Sequence, residues 1–243
     1  ALASSLSEAA SLLIVAVYAW VKVDGREFGL KPLYDKRLLV ELLRLSLWSM
    51  LHAFISVAPW FLFFVAIERL GEAQLAVSNI IRSVSTVFFV IVNSFAATTG
   101  ALVSNLIGAG ERRLLFPLCR KIVKLGYAIG FPLIVLAACF HRQIAGLYTD
   151  STRLIEMSAV PFIVMLFNYV FALPGYVYIN AVTGTGKTRT AFLFQLTTIA
   201  VYLAYLYLLS RYAGVPLAVY LMAEYLFVIL LAIQSVLYLR ASS

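Results

Sequence analysis

Residues 73–99 read AQLAVSNIIRSVSTVFFVIVNSFAATT. At about 1.5 Å of rise per residue, a helix of this length exceeds the roughly 30 Å hydrocarbon core of a bilayer. The run is continuously apolar rather than alternating, which predicts a membrane helix and not a barrel strand. Its polar residues are ordered. Asn79, Arg82, Thr86 and Asn93 follow one another at spacings of 3, 4 and 7, and at about 100° per residue they fall on one face. Ala97, Gly100 and Ser104 continue that face with small side chains, which let another helix approach closely. The stretch therefore reads as a spanning helix with one side turned away from lipid.

Six further apolar runs surround it, giving predicted spans at 6–22, 46–67, 73–99, 119–140, 157–182, 190–210 and 215–239. Hydrophobic residues make up 63% of the 243 and charged residues 12%, about half the charged share of a soluble globular domain. The fold class is all-α integral membrane with seven transmembrane helices. Lys and Arg divide 14 to 4 between the two sides, with Arg82 alone inside a span. The richer side, which includes Arg240, is the cytoplasm, so the C-terminus is cytoplasmic. Basic residues scattered over several loops do not make a nucleic-acid surface. An odd number of spans leaves Ala1 outside. No Met and no charged segment precede the first span, so it does not read as a secretory signal. The expectation is an upstream part with at least one more span.

The connection 23–45 is the longest and the most charged. Gly25, Gly29 and Pro32 mark turns in it. From Asp35, a candidate cap, KRLLVELLRLS becomes helical, with Leu38, Leu39, Leu42, Leu43 and Leu45 on an apolar face suited to the cytoplasmic interface. Pro59, Pro132, Pro161 and Pro174 are expected to bend or break their helices. Cys119 and Cys139 stand 20 residues apart near the two ends of one helix, far beyond disulfide reach. No His/Cys spacing suggests a metal. The run Ala181-Val-Thr-Gly-Thr-Gly-Lys-Thr188 fits a permissive phosphate-loop pattern. That chemistry needs a strand before the loop and a helix after it. Here the run joins two membrane helices, so no nucleotide is expected; Gly184 and Gly186 end a helix and turn the chain.

Polar groups inside hydrocarbon are costly and point to function or interhelical glue. Arg82 and Glu224 are the strongly charged residues well inside spans. Each lies about 9 residues past the outer start of its helix, hence roughly 13 Å deep, and an ion pair or a shared cavity is expected, either for transport or as a permanent contact. His52, with Ser49 and Ser56, forms a shorter stripe, and its near-neutral titration suits either a proton relay or an interhelical hydrogen bond. Asn168 and Asn180 flank an expected break at Pro174-Gly175, where freed carbonyls can line a cavity or bind a cation, or the amides can simply bridge helices.

Two segments carry a resemblance. Ser83-Val-Ser-Thr-Val-Phe-Phe with Gly100-Ala-Leu-Val-Ser-Asn-Leu-Ile-Gly-Ala-Gly-Glu111, and Gly184-Thr-Gly-Lys-Thr-Arg-Thr190, resemble the multidrug and toxic compound extrusion (MATE) transporters. The resemblance implies twelve helices in two six-helix bundles. It makes 1–22 the last helix of an N-terminal bundle, 23–45 the cytoplasmic linker and 46–243 the C-terminal bundle. It implies no enzyme and no bound cofactor, but antiport of small cationic or amphipathic compounds against Na⁺ or H⁺ by alternating access in the bacterial inner membrane. The partner is the N-terminal bundle of the same polypeptide, in membrane lipid. Some members use acidic residues in the seventh and tenth helices; spacing puts those positions near Ser56 and Pro174, neither of which is acidic, so Glu224 or the other bundle is left to supply the carboxylate. The candidate substrate or cation cavity residues are Arg82, Glu224, Asn79, Asn93, His52, Ser56, Asn168 and Asn180. A lipid-linked saccharide flippase of the same superfamily stays open as an alternative, as does a seven-helix receptor-like or structural membrane protein.

Overall fold

The computed structural model describes residues 2–22, 35–212 and 214–241, apart from the side chains of residues 2–5, 19, 45, 49, 52, 56 and 58. Among these residues the secondary structure is helical, with no strand. The chain divides into two compact units, 1–43 and 44–243. The first holds α1 (Leu2–Lys22), 21 residues long over the first predicted span. Six segments among the described residues are long and apolar enough to cross a membrane, all between Lys36 and Ala241. The seventh expected span is α1, whose early turns are diluted by Ser7, Glu8 and Ser11. Gly25, Gly29 and Pro32 of the predicted connection lie outside the described residues.

Helix α2 (Lys36–Ser56) starts where expected. The Asp35 carboxylate accepts from the Arg37 and Leu38 N–H groups at 2.8 and 3.3 Å, satisfying two donors that a helix start leaves free. The predicted interfacial helix does not end before the second span, because no Gly or Pro interrupts 36–56. The break falls at Val57, and α3 (Ala58–Glu68) resumes with Pro59 in its first turn, where a missing N–H costs no helix bond.

The opening stretch forms α4 (Glu72–Gly108), 37 residues and longer than predicted. It ends in a Schellman turn: Gly110 has φ +77°, its N–H donates to the Ile107 carbonyl, and the Glu111 N–H reaches back to the Leu106 carbonyl at 3.0 Å. A short 3₁₀ turn leads into α5 (Leu115–Cys139), followed by α6 (His141–Gly146). The fifth span is two helices, α7 (Thr152–Phe167) and α8 (Tyr169–Gly184). Helices α9 (Thr188–Ser210) and α10 (Leu217–Ala241) complete the bundle. The phosphate-loop look-alike is a helix–turn–helix joint, with Gly186 at φ +80° between α8 and α9. Cys119 is buried and Cys139 exposed, both free.

Helix α8 is the axis of the bundle, and its neighbours meet it at glycines. Lipid offers no hydrophobic drive for helix association, so close van der Waals packing has to supply it. A Cβ on Gly175 would stand 2.8 Å from the Val228 carbonyl of α10, and one on Gly184 2.5 Å from the Gly100 carbonyl of α4. On α5, the GxxxG pair Gly126 and Gly130 accommodates Leu173 and Tyr169 of α8. The Ser104 hydroxyl donates to the Gly184 carbonyl at 2.9 Å, so the small residues of α4 serve the close approach expected of them.

Gly184→Ala is expected to destabilise the solubilised protein by about 1–3 kcal/mol, because the clash is with backbone that cannot rotate away. Gly108→Ala, with open space around it, is expected to be neutral or to gain up to about 1 kcal/mol of helix propensity. Thermal unfolding in detergent compares the two; equal melting temperatures would contradict this packing.

Candidate functional site

Between α3, α4, α7, α8 and α10 lies a cavity of about 60 Å³, several times the ~10–15 Å³ that one water needs. Its wall is mostly apolar, with Trp60, Ser85, Asn168, Tyr169, Tyr176 and Glu224 as the residues that carry polar atoms. Among the described residues no Lys, Arg or His lines it.

Glu224 is buried, at 7% exposure. Its Oε1 accepts from the hydroxyl of fully buried Tyr202 on α9 at 3.2 Å. The same hydroxyl is 3.4 Å from the Pro59 carbonyl, so its one proton serves two acceptors. Asn168 is also 7% exposed, and its Oδ1 has no hydrogen-bond partner. It sits at the joint between α7 and α8. A carboxylate and an amide oxygen thus face one small cavity, and among the described residues they have a single neutral donor between them.

The expected Arg82–Glu224 pair is not formed. Arg82 is exposed, and its guanidinium lies over Phe64 and Trp60, with Cζ 5.1 and 5.8 Å from the ring centroids. The ion pairs among the described residues are Arg113–Glu111 and Arg142–Glu156, all on exposed side chains. Arg82 and Glu224 stand 10 and 7 residues past the starts of α4 and α10, and the guanidinium lies on the rings of Trp60 and Phe64 rather than on the carboxylate. Trp60 stands between the two charges, lining the cavity and underlying the guanidinium.

The α4 stripe, expected to be turned away from lipid, lies on the exposed surface of this chain. Asn79, Arg82, Thr86 and Asn93 are all exposed, while Ile81, Val84 and Val92 are buried. The stripe is open from Asn79 to Asn93, and α8 packs over its continuation at Gly100 and Ser104. Asn79 also borders an open groove with Ser83, Tyr148 and Thr149. The side chains of Ser49, His52 and Ser56 lie outside the described residues. Asn180 is half-buried and donates to the Tyr176 carbonyl at 2.9 Å, within its own helix and away from the cavity wall.

The break expected at Pro174-Gly175 is absent, because Pro174 is inside α8; α7 and α8 meet at Asn168, which stays in the α region with its N–H on the Val164 carbonyl at 3.2 Å. A proline leaves the carbonyl four residues earlier without its helical donor. For Pro174 that carbonyl belongs to Val170, and the Tyr127 hydroxyl of α5 donates to it. The Tyr225 hydroxyl donates to the Val164 carbonyl, which also accepts from the Asn168 N–H. The carbonyl freed by Pro174 is therefore occupied by protein. Tyr202 and Tyr127 are the residues that sequence reading passed over. A buried tyrosine has to place its hydroxyl, but α9 alone offers Tyr202, Tyr205 and Tyr207, and spacing does not single one out.

A helical bundle in which six segments of the described residues are long and apolar enough to cross a membrane defines a multi-pass membrane protein. The MatE family profile matches residues 49–208, more than half of the chain, and the chain belongs to that family. Members of the family are transporters and not enzymes. No curated protein matches the sequence significantly. Among solved structures the fold is similar to a MATE in complex with MaL6 (TM-score 0.81, 20% identity, 98% of this chain and 54% of that one). It is similar to an outward-facing multidrug resistance MATE transporter of the MOP superfamily (0.82, 19%, 98% and 54%). A MOP superfamily transporter from Pyrococcus furiosus, described as having a binding pocket of reverse polarity, aligns at 0.68, with 14% identity over 81% of this chain and 43% of that one. The chain spans about half the length of these proteins.

Tyr127→Phe is expected to cost about 1–3 kcal/mol, the penalty of an orphaned buried carbonyl. Pro174→Ala restores an N–H to Val170, so the same substitution in that background should cost under about 1 kcal/mol. A double-mutant cycle on thermal stability reads the difference; additive costs would contradict the assignment.

Proposed function

We propose that this chain is the C-terminal half of a secondary active exporter. Residues 1–22 are the last helix of an N-terminal bundle, 23–45 the linker and 46–243 the second bundle. The working unit includes the N-terminal bundle of the same polypeptide. It moves small cationic or amphipathic compounds outward across a bacterial cytoplasmic membrane in exchange for Na⁺ or H⁺, with the C-terminus in the cytoplasm. Membership of the MatE family and the half-length match to solved transporters support the class. Arg82, Asn79 and Asn93 belong to the substrate face, and Glu224 with Asn168 to the coupling-ion site.

One observation carries the coupling half of this reading: Glu224 is buried with Tyr202 as its neutral donor and, among the described residues, no cationic side chain in its cavity. An isolated ionised carboxylate is expensive in such surroundings. A bound cation or a proton relieves that cost, and its loss restores it. Occupancy of the cavity and the packing of α3, α4, α7, α8 and α10 around it are then linked, which is what an ion-driven conformational cycle requires.

In proteoliposomes holding the complete protein, dye efflux is expected under an imposed Na⁺ or proton gradient. Glu224→Gln should abolish gradient-driven efflux while leaving passive counterflow of substrate. Undiminished uphill efflux in that variant would remove Glu224 from coupling, and absence of efflux under either gradient would remove the exporter reading.

A further inference from the structure

We propose that the rim where α3 and α9 end binds an anionic glycerophospholipid, with Arg69 and Arg211 on its phosphate and an acyl chain in the apolar groove between the two helices. The site goes beyond the exporter reading and does not depend on it; only its leaflet, the outer one, rests on the orientation proposed above.

Three observations converge. First, two cations meet at the level of lipid headgroups. The side of the chain poor in basic residues has four of them, Arg69, Arg142, Arg153 and Arg211. The bias that gathers basic residues on the opposite side does not account for these. Arg142 pairs with Glu156. Arg69 and Arg211 come together instead: each stands one residue past the end of a membrane-crossing segment, Lys36–Glu68 and Thr188–Ser210, and both border the same two adjoining grooves. Second, their N–H groups are open to a ligand. Both residues are exposed. Among the described residues the Arg69 guanidinium is in no ion pair and no hydrogen bond. That of Arg211 lies over the Tyr207 ring, with Cζ 4.8 Å from the centroid, and donates to the Tyr207 hydroxyl, which leaves its other N–H groups for a phosphate. Each arginine follows a helix C-terminus, where a cation offsets the helix dipole, but among the described residues neither guanidinium bonds a carbonyl of its own helix. No Asp, Glu or Lys of the described residues lines either groove; Glu68 and Glu72, close by in sequence, are outside both linings. The rim is therefore positive and complements an anion. Third, the space below the cations suits a hydrocarbon chain. Between α3 and α9 a groove of about 460 Å³ is walled by Leu62 and Val65 on one side and Leu203 and Leu206 on the other. Leu62 lies 7 residues before Arg69 and Leu203 8 residues before Arg211, so the groove runs about 10–12 Å from the rim into the hydrocarbon core. The second groove, of about 550 Å³, carries Gln74, Ser210 and Tyr212, donors and acceptors that fit a glycerol headgroup. A free phosphate would leave the apolar groove unused; a phospholipid fills all three parts.

The test uses the complete protein and native mass spectrometry, with dioleoylphosphatidylglycerol and dioleoylphosphatidylcholine as probes that share their acyl chains. The phosphatidylglycerol is expected to bind saturably and more tightly than the phosphatidylcholine. Arg69→Gln and Arg211→Gln should each weaken it about fivefold, and together about twentyfold or more, the scale of one surface cation per step. Val65→Trp, which fills the apolar groove and leaves both charges, should also weaken it about fivefold. Arg142→Gln with Arg153→Gln removes as much charge from the same side and should leave binding unchanged. An equal loss in that control pair overturns the site in favour of general surface charge. Full competition by glycerol 1-phosphate overturns it in favour of a free phosphate. Equal binding of the two lipids to the unmodified protein, the outcome where protein covers the groove, overturns it as well. These last two comparisons need no variant, so they decide even if an arginine variant fails to fold. Gradient-driven efflux is measured separately: its absence removes the exporter and leaves the lipid site, and its presence without lipid preference does the reverse.

Discussion

Backbone-to-backbone approach at α8 is the constraint on which the rest of this bundle depends. Lipid tails are as apolar as leucine, so burying a leucine between membrane helices gains little by desolvation alone. Contact has to come from fit. At Gly175 and Gly184 the facing atoms are carbonyl oxygens of α10 and α4, and at Gly126 and Gly130 of α5 they are side chains of α8 itself. These distances set how far the walls of the internal cavity stand from one another. They also place Tyr127 and Tyr169 where their hydroxyls reach the Val170 and Gly126 carbonyls. The polar repairs are thus a consequence of the close packing.

That dependence explains what the sequence discloses and what it withholds. The membrane class, the stripe on α4, the cap at Asp35 and the turn at Gly186 are local or periodic features, readable from a few consecutive residues. The Arg82–Glu224 relation is different. Counting from the predicted helix starts gives the two residues equal depth, but α4 and α10 begin at Glu72 and Leu217, which puts Arg82 10 residues and Glu224 7 residues in. Arg82 is exposed while its neighbour Ile81 is buried. The kink shows the same limit. Proline announces a lost hydrogen bond at Pro174, yet a tyrosine 43 residues from the freed Val170 carbonyl replaces it, and no local rule finds a donor at that separation.

The charges end up segregated by one residue. Trp60 turns one part of its ring to the guanidinium of Arg82 and helps wall the cavity of Glu224. It lies in the first turn of α3, directly after the break at Val57 and next to Pro59, whose carbonyl shares the Tyr202 hydroxyl with Glu224. If Tyr202 gives its proton to Glu224, the Pro59 carbonyl loses a donor. If a cation occupies the carboxylate, the hydroxyl is free to turn to Pro59. Ion occupancy and the first turn of α3 therefore draw on the same proton.

This gives a physical reason for a buried carboxylate to stand apart from the exposed arginine. A direct Arg82–Glu224 pair would neutralise both groups permanently, and breaking a buried pair costs several kcal/mol. Neither charge would then be available to a ligand. Kept apart, the carboxylate holds one neutral hydroxyl donor and the guanidinium the faces of two rings. Trp60 touches both surroundings, because the α3 turn that carries it is anchored on one side by the Tyr202 hydroxyl and loaded on the other by Arg82. A change at either charge therefore bears on the short turn after Val57.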